Sequence, residues 1–186
     1  MGVQFWSQPL VVGTVAGPTL TAAAAASCVP TPSKITLPNN YWYVGKMLRI
    51  RATGIISTVI TTPGTIRFDV RLGAVVAFDG LAILPDTVAA HSNVGWDLEI
   101  LLTCQAIGSG TATQLWGTGK FTCEDILGVP ATAPKGVLTA MLPWNSTPAL
   151  GTGFDNTAAS TLDMFFTQTV TTGSMTLKTY LVEELN

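Results

Sequence analysis

The sequence is short of charged residues. Asp, Glu, Lys and Arg make up 11% of its 186 residues, against about 25% in an average globular domain. The nine Lys and Arg residues are scattered along the chain, and the formal net charge is −2. Because no basic cluster could follow a phosphate backbone, we expect no binding to nucleic acid. A weakly charged, Thr-rich surface favours a protein that is partly covered by other subunits.

Long hydrophobic runs and targeting signals are also missing. No stretch approaches the roughly 18 consecutive apolar residues of a membrane helix, so we expect no contact with a membrane. The N-terminal stretch LVVGTVAGPTLTAAAAAS looks like part of a secretory signal, but no Lys or Arg precedes Lys34, and Gly and Pro interrupt it. Trp6 stands where N-myristoylation requires Ser or Thr. We therefore expect neither modification nor secretion.

Cysteine is scarce and odd in number. Cys28, Cys104 and Cys123 form no CxxC pair. This usage favours buried free thiols in a reducing compartment over a disulfide framework. Cys104 and Cys123 nevertheless lie on the two arms of one predicted hairpin and could approach each other.

Candidate catalytic residues are also few. The single histidine, His91, has Asp86 and Asp97 nearby in the sequence, but their spacing matches no metal-ligand pattern. No G-x-S-x-G motif is present to supply a nucleophile. Exposure on one strand face explains Asp97 and Glu99 without a carboxylate pair for glycoside hydrolysis. We therefore predict no catalytic residue, no metal ligand and no cofactor, and a protein that is not an enzyme.

The sequence does contain apolar and polar residues that alternate with a period of two. In TIRFDVRLG, residues Ile66, Phe68, Val70 and Leu72 form one face and Arg67, Asp69 and Arg71 the other. The same pattern holds in RIRATGII and in GWDLEILLTCQA, and a Gly-Ser-Gly turn separates the latter from TQLWGTGKFTCE. Such strands have one buried and one solvated face. They predict a long hairpin at 95–124.

The remaining segments complete an all-β fold. We predict further strands at the following positions: 19–29, 33–37, 46–58, 64–72, 74–78, 160–170 and 174–185. The last two are expected to pair as a closing hairpin across Thr-Thr-Gly, and the Pro- and Gly-rich segment 125–159 is expected to be a long apolar loop. About eight strands without an amphipathic helix predict a two-sheet antiparallel sandwich, with jelly-roll order favoured over another Greek key. Residues 1–39 are expected to form an extended N-terminal arm with a first edge strand, and residues 40–186 the sandwich domain.

Three stretches resemble structural proteins of tailed-phage virions. They are GWDLEILLTCQAIGSGTATQLWGTGKFTCED, the upstream TPGTIRFDVRLGAVVAFDG, and the C-terminal STLDMFFTQTVTTGSMTLKTYLVEELN. The likeness covers roughly residues 40–186, and Phe165-Phe166 stand where Trp is usual. It implies a non-enzymatic jelly-roll protein of the capsid decoration, cement or head-fibre type. Such a protein would assemble in the host cytoplasm, often as a homotrimer, and would bind the major capsid protein at the virion surface.

Two groups of aromatic and apolar residues are candidate contact sites. Phe5 and Trp6 in the arm, with Met141, Trp144 and Phe154 in the segment 125–159, are predicted interface residues. Tyr41, Trp42 and Tyr43, preceded by two asparagines, are a possible sugar-binding surface. That surface would suit the alternative function, a tail- or fibre-associated adhesin.

Overall fold

The structure, a computed structural model, describes residues 7–127 and 137–185. In these residues the chain forms one 3₁₀ helix, Thr31–Ser33, and twelve β-strands. In chain order the strands are β1 Ser7–Gly13, β2 Thr19–Leu20, β3 Ala25–Ser27, β4 Ile35–Leu37, β5 Met47–Thr58, β6 Ile66–Leu72, β7 Val75–Asp79, β8 His91–Ala106, β9 Gln114–Leu127, β10 Val137–Leu142, β11 Ser160–Gln168 and β12 Ser174–Leu185. The predicted all-β class is confirmed.

The strands form two antiparallel sheets packed face to face. The large sheet has the order β1-β12-β5-β8-β9-β10, with β2 also paired to β12. The small sheet has the order β3-β11-β6-β7, with β4 also paired to β11. When β1 with β2, and β3 with β4, are each counted as one interrupted strand, the chain follows the eight-strand jelly-roll order. Strands β9 and β10 extend the large sheet beyond it.

Aromatic side chains fill the space between the two sheets. Phe68 of the small sheet has its ring centroid 5.3 Å from that of Trp96 and 5.0 Å from that of Phe121, both in the large sheet. Phe166, beside it in the small sheet, lies 5.2 Å away. All four are buried, and each large apolar side chain removed from water stabilises the fold by about 1.5–3 kcal/mol.

One core position of β5 requires glycine. A Cβ atom on Gly54 would lie 2.2 Å from the carbonyl oxygen of Thr176 and 2.6 Å from the ring of Trp96. The backbone of the neighbouring strand cannot retreat without breaking the sheet. The indole ring of Trp96 therefore occupies the space that a side chain at position 54 would need.

Two features differ from the prediction. The prediction of a closing hairpin was wrong, because β11 pairs with β6 and β12 pairs with β5. The connection from β11 to β12 therefore crosses from the small sheet to the large sheet. Within the predicted loop 125–159, Val137–Leu142 forms strand β10. Its alternation is hidden because Leu138 and Met141 are apolar although exposed.

The N-terminal segment lies along both sheets. β1 and β2 pair with β12, and β3 and β4 with β11, so residues 7–37 supply edge strands. The alanine run 22–26 forms no helix. The division at residue 39 stays a prediction. All three cysteines are buried free thiols, and Cys104 and Cys123 lie at opposite ends of the β8–β9 hairpin, opposite Leu115 and Trp96.

Candidate functional surface

The outward side of the large sheet is a broad face created by alternation. Because core residues such as Ile50 and Leu98 are fully buried, the residues between them point to solvent. One outward row runs across six strands in register: Val12, Leu181, Arg51, Glu99, Lys120 and Met141. A second row runs beside it: Thr179, Thr53, Asp97, Thr122 and Thr139. We call these eleven residues the outer face.

Charges occupy only the middle of the first row. Arg51, Glu99 and Lys120 alternate in sign across three neighbouring strands. The Arg51 Nε and Glu99 Oε2 atoms are 3.5 Å apart, and both side chains are about half exposed. Such a pair contributes at most about 1 kcal/mol to folding. Alternating charges on an interface mainly determine register and partner choice.

The second row is polar, and Asp97 is its only charged residue. The hydroxyl oxygens of Thr53 and Thr179 are 2.6 Å apart, and those of Thr122 and Thr139 are 3.0 Å apart. Hydroxyl groups that hydrogen-bond each other lose little when a partner displaces the surrounding water. This row is therefore less costly to cover than a row of Lys and Glu.

Apolar side chains stand at both ends of the first row. Val12 is 64% exposed and Met141 is 65% exposed. Leu181 lies half-buried beside Val12. The outer face thus combines apolar ends, a weakly charged centre and a threonine row, a composition suited to contact with another protein.

The predicted interface residues fall in different places. Met141 lies on the outer face, and Trp144 is partly buried against the core, its backbone N–H bonded to Gly80. Phe154 requires a correction. It is a core residue, 4% exposed, because its backbone N–H and C=O both bond to Thr113 and hold it inside. Phe5 and Trp6 lie outside the described residues.

The aromatic group at 41–43 is mostly occupied by the protein itself. Trp42 is buried, which corrects its prediction as a ligand surface. The ammonium of Lys46 lies 3.8 Å from the ring centroid of Tyr41 and 2.7 Å from Glu184 Oε1. The Tyr41 hydroxyl donates to the same carboxylate at 2.9 Å, and burial together with this bond raises the pKa of Tyr41.

A sugar stacks on an open aromatic face. Because Lys46 covers Tyr41 and the core takes up Trp42, only Tyr43 of the three remains extensively exposed, at 48%. Lys46 also approaches the Tyr43 ring, at 5.2 Å. The arrangement explains the three aromatics as a capped strand entry, with Tyr43 as the exposed ring of the group.

The structure places His91 at the start of β8, beside one of the two aspartates considered in the sequence, Asp86, and beside a second, Asp125, that was not. Its Nε2 atom is 3.5 Å from Asp86 Oδ2 and 3.5 Å from Asp125 Oδ1. Asp97 lies instead in the threonine row, opposite Thr53. Asp125 was missed as a partner of His91 because the predicted hairpin, 95–124, stops short of both residues at the end where they meet.

The other carboxylates considered in the sequence lie on both sheets. Asp97 and Glu99 belong to the outer face, whereas Asp163 lies in the small sheet and binds Lys34 at 2.7 Å. In the described part of the chain no helix has the length and apolar character needed to cross a membrane. Comparison with known protein families, with curated proteins and with solved structures found no match to this chain.

Proposed function

We propose that the protein is a non-enzymatic structural protein of a tailed-phage virion. In this proposal it assembles with copies of itself, most simply as a homotrimer, and decorates the head shell by binding the major capsid protein. The observation that carries the proposal is the outer face, a six-stranded surface with exposed apolar ends and few charges.

Several properties support a binding role over catalysis. The outer face spans β1, β12, β5, β8, β9 and β10, so the sandwich holds it rigid before any partner arrives. A preorganised surface loses little conformational entropy on binding. The Arg51–Glu99–Lys120 row would orient the partner, and the apolar ends would supply most of the affinity.

The resemblance of three stretches to virion proteins supports the proposed place of this binding role at the virion surface. Two of those stretches, at 95–125 and 160–186, contain most of β8 and β9 and all of β12, and these three strands carry six of the eleven outer-face residues. The resemblance therefore coincides with the surface that we propose for assembly. Low overall charge is consistent with a protein whose surface is largely covered in its assembled state.

A binding titration tests the proposal. Purified protein is added to head shells of the virus that encodes it, and the bound amount per shell is measured by sedimentation and gel densitometry. We expect saturable binding at a stoichiometry that matches the symmetry of the shell. Light scattering on the free protein is expected to give a particle of three chains.

Outer-face variants make the test specific. Met141→Glu places a charge at one apolar end and is expected to weaken shell binding about 30-fold, equivalent to about 2 kcal/mol. Ile107→Glu is the matched control, because Ile107 is also exposed, at 48%, but lies beyond the end of β8. Equal binding by both variants, or no binding by the unmodified protein, would refute the proposal.

A further inference from the structure

Two almost completely buried aspartates face the same histidine nitrogen at one end of the large sheet. Residue Asp86 is 3% exposed to solvent, and residue Asp125 is 1% exposed. Among the described residues, His91 is the only ion-pair partner of either carboxylate within 4.0 Å. Buried carboxylates are costly unless a cation pairs with them or a metal ion binds them. One partly exposed imidazole offsets little of the free-energy cost of burying two carboxylates.

The distances suit a shared metal ion better than hydrogen bonds. His91 Nε2 is 3.5 Å from an oxygen of each aspartate, which is long for a charged hydrogen bond. Ligands bound tetrahedrally at about 2.0–2.2 Å from Zn²⁺ lie about 3.3–3.6 Å from one another. The potential ligand atoms of the three residues all lie within 4.8 Å of one another.

The protein holds each carboxylate oxygen in place. Asp125 Oδ2 accepts a hydrogen bond from the Thr58 hydroxyl at 2.6 Å, and Asp125 Oδ1 accepts one from the backbone N–H of Asp86 at 3.0 Å. The oxygens of Asp86 accept from the backbone N–H groups of Val88, at 2.8 Å, and Ala89, at 3.2 Å. Donors of this kind orient the ligands of metal sites.

We propose that Asp86, His91 and Asp125 bind one divalent transition-metal ion, with Zn²⁺ the best fit to one imidazole and two carboxylates. Three protein ligands leave a fourth position for water. His91 has a side chain that is 20% exposed, so the site opens to solvent on its side and a metal ion can enter there.

The ion would act as a structural cross-link. Asp86 belongs to the segment between β7 and β8, His91 begins β8, and Asp125 is on β9. Thr58, which holds Asp125, ends β5 and lies opposite His91. A metal ion would therefore tie the segment before β8 to the end of the large sheet. This role is independent of the function proposed above.

Metal binding can be measured on the full chain without a histidine tag. The protein is stripped with EDTA, dialysed, and unfolded thermally alone and with ZnCl₂, MnCl₂, CaCl₂ or MgCl₂. Bound metal is measured by elemental mass spectrometry. We expect one Zn²⁺ per chain and a Tm increase of about 5–10 °C at a Zn²⁺ concentration about 100-fold above Kd. Mn²⁺ should give a smaller increase.

Three variants decide the assignment. His91→Ala should keep the EDTA-state fold and lose the Zn²⁺-dependent increase in Tm, and Asp86→Asn should do the same. Asp97→Asn is the matched control on the same strand and should respond to Zn²⁺ like the unmodified protein. Absence of bound Zn²⁺, an unchanged response in His91→Ala, or a preference for Ca²⁺ or Mg²⁺ would overturn the proposal.

Discussion

Two consecutive phenylalanines on β11 offer the sharpest test of the sandwich. Phe166 is 1% exposed and packs against Phe68 between the sheets. Phe165 points to the other side of the small sheet, where the guanidinium carbon of Arg71 lies 3.7 Å from its ring centroid. Because neighbouring residues in a strand face opposite sides, truncating the two side chains should have very different effects.

The expected magnitudes follow from these environments. Phe166→Ala removes a ring from the core and leaves a cavity, which costs about 3–5 kcal/mol. Phe165→Ala loses a cation–π contact of about 0.5–1 kcal/mol at a partly exposed site. We expect the total cost of Phe165→Ala to be about 1 kcal/mol. The difference between the two variants should therefore be about 2–4 kcal/mol.

Urea unfolding followed by tryptophan fluorescence measures both values. The two variants change the same residue type at adjacent positions, so composition and chain length are matched. Each free energy of unfolding is compared with that of the unmodified protein. Equal destabilisation, or a larger effect at Phe165, would refute the register, because a slip of one residue exchanges the two faces of the strand.

Three further predictions concern stability. Gly54→Ala should lower the free energy of unfolding by at least about 2 kcal/mol in urea, because the new methyl group would collide with the Trp96 ring. Asn156→Ala should cost about 1–3 kcal/mol in the same assay, because its amide group accepts from the backbone N–H of Trp42 at 3.0 Å and donates to its C=O at 2.9 Å. Burial raises the pKa of the Cys123 thiol from 9.0 to about 11. The unfolded chain therefore loses this proton first, and stability should fall between about pH 9 and pH 11, by at most about 1.4 kcal/mol per pH unit from this group.

Each of these predictions has a clear contrary result. For Gly54, unchanged unfolding of the alanine variant would mean that the Trp96 ring moves aside and leaves room for the methyl group. For Asn156, unchanged unfolding would mean that the Trp42 backbone finds other partners. Cys123→Ala should make the alkaline loss of stability shallower, and an identical pH profile would assign that loss to other groups.

The candidate surface could be predicted only in part. Alternation in β5 and β8 already places Arg51, Asp97 and Glu99 on a solvated face. The sequence could not show that Val12 and Met141 complete the same row, because they belong to the first strand and to one hidden in a predicted loop. Nor could it separate Met141 from Phe154, since both are large apolar residues in one Pro- and Gly-rich segment.

The sequence by itself determined the class of fold and the faces of the long strands. Period-two alternation of apolar and polar residues shows which residues of a strand are buried. It can be read from the strand's own sequence, without knowing which strand is its partner. Only the tertiary structure decided which strands are neighbours. The apolar face of a strand can be buried in either sheet. Strands β11 and β12 therefore belong to different sheets, although only three turn residues connect their predicted ends. The pairing of β8 with β9 brings Asp125 to the start of β8, where His91 and Asp86 lie, because this hairpin extends beyond the residues 95–124 that alternation predicted.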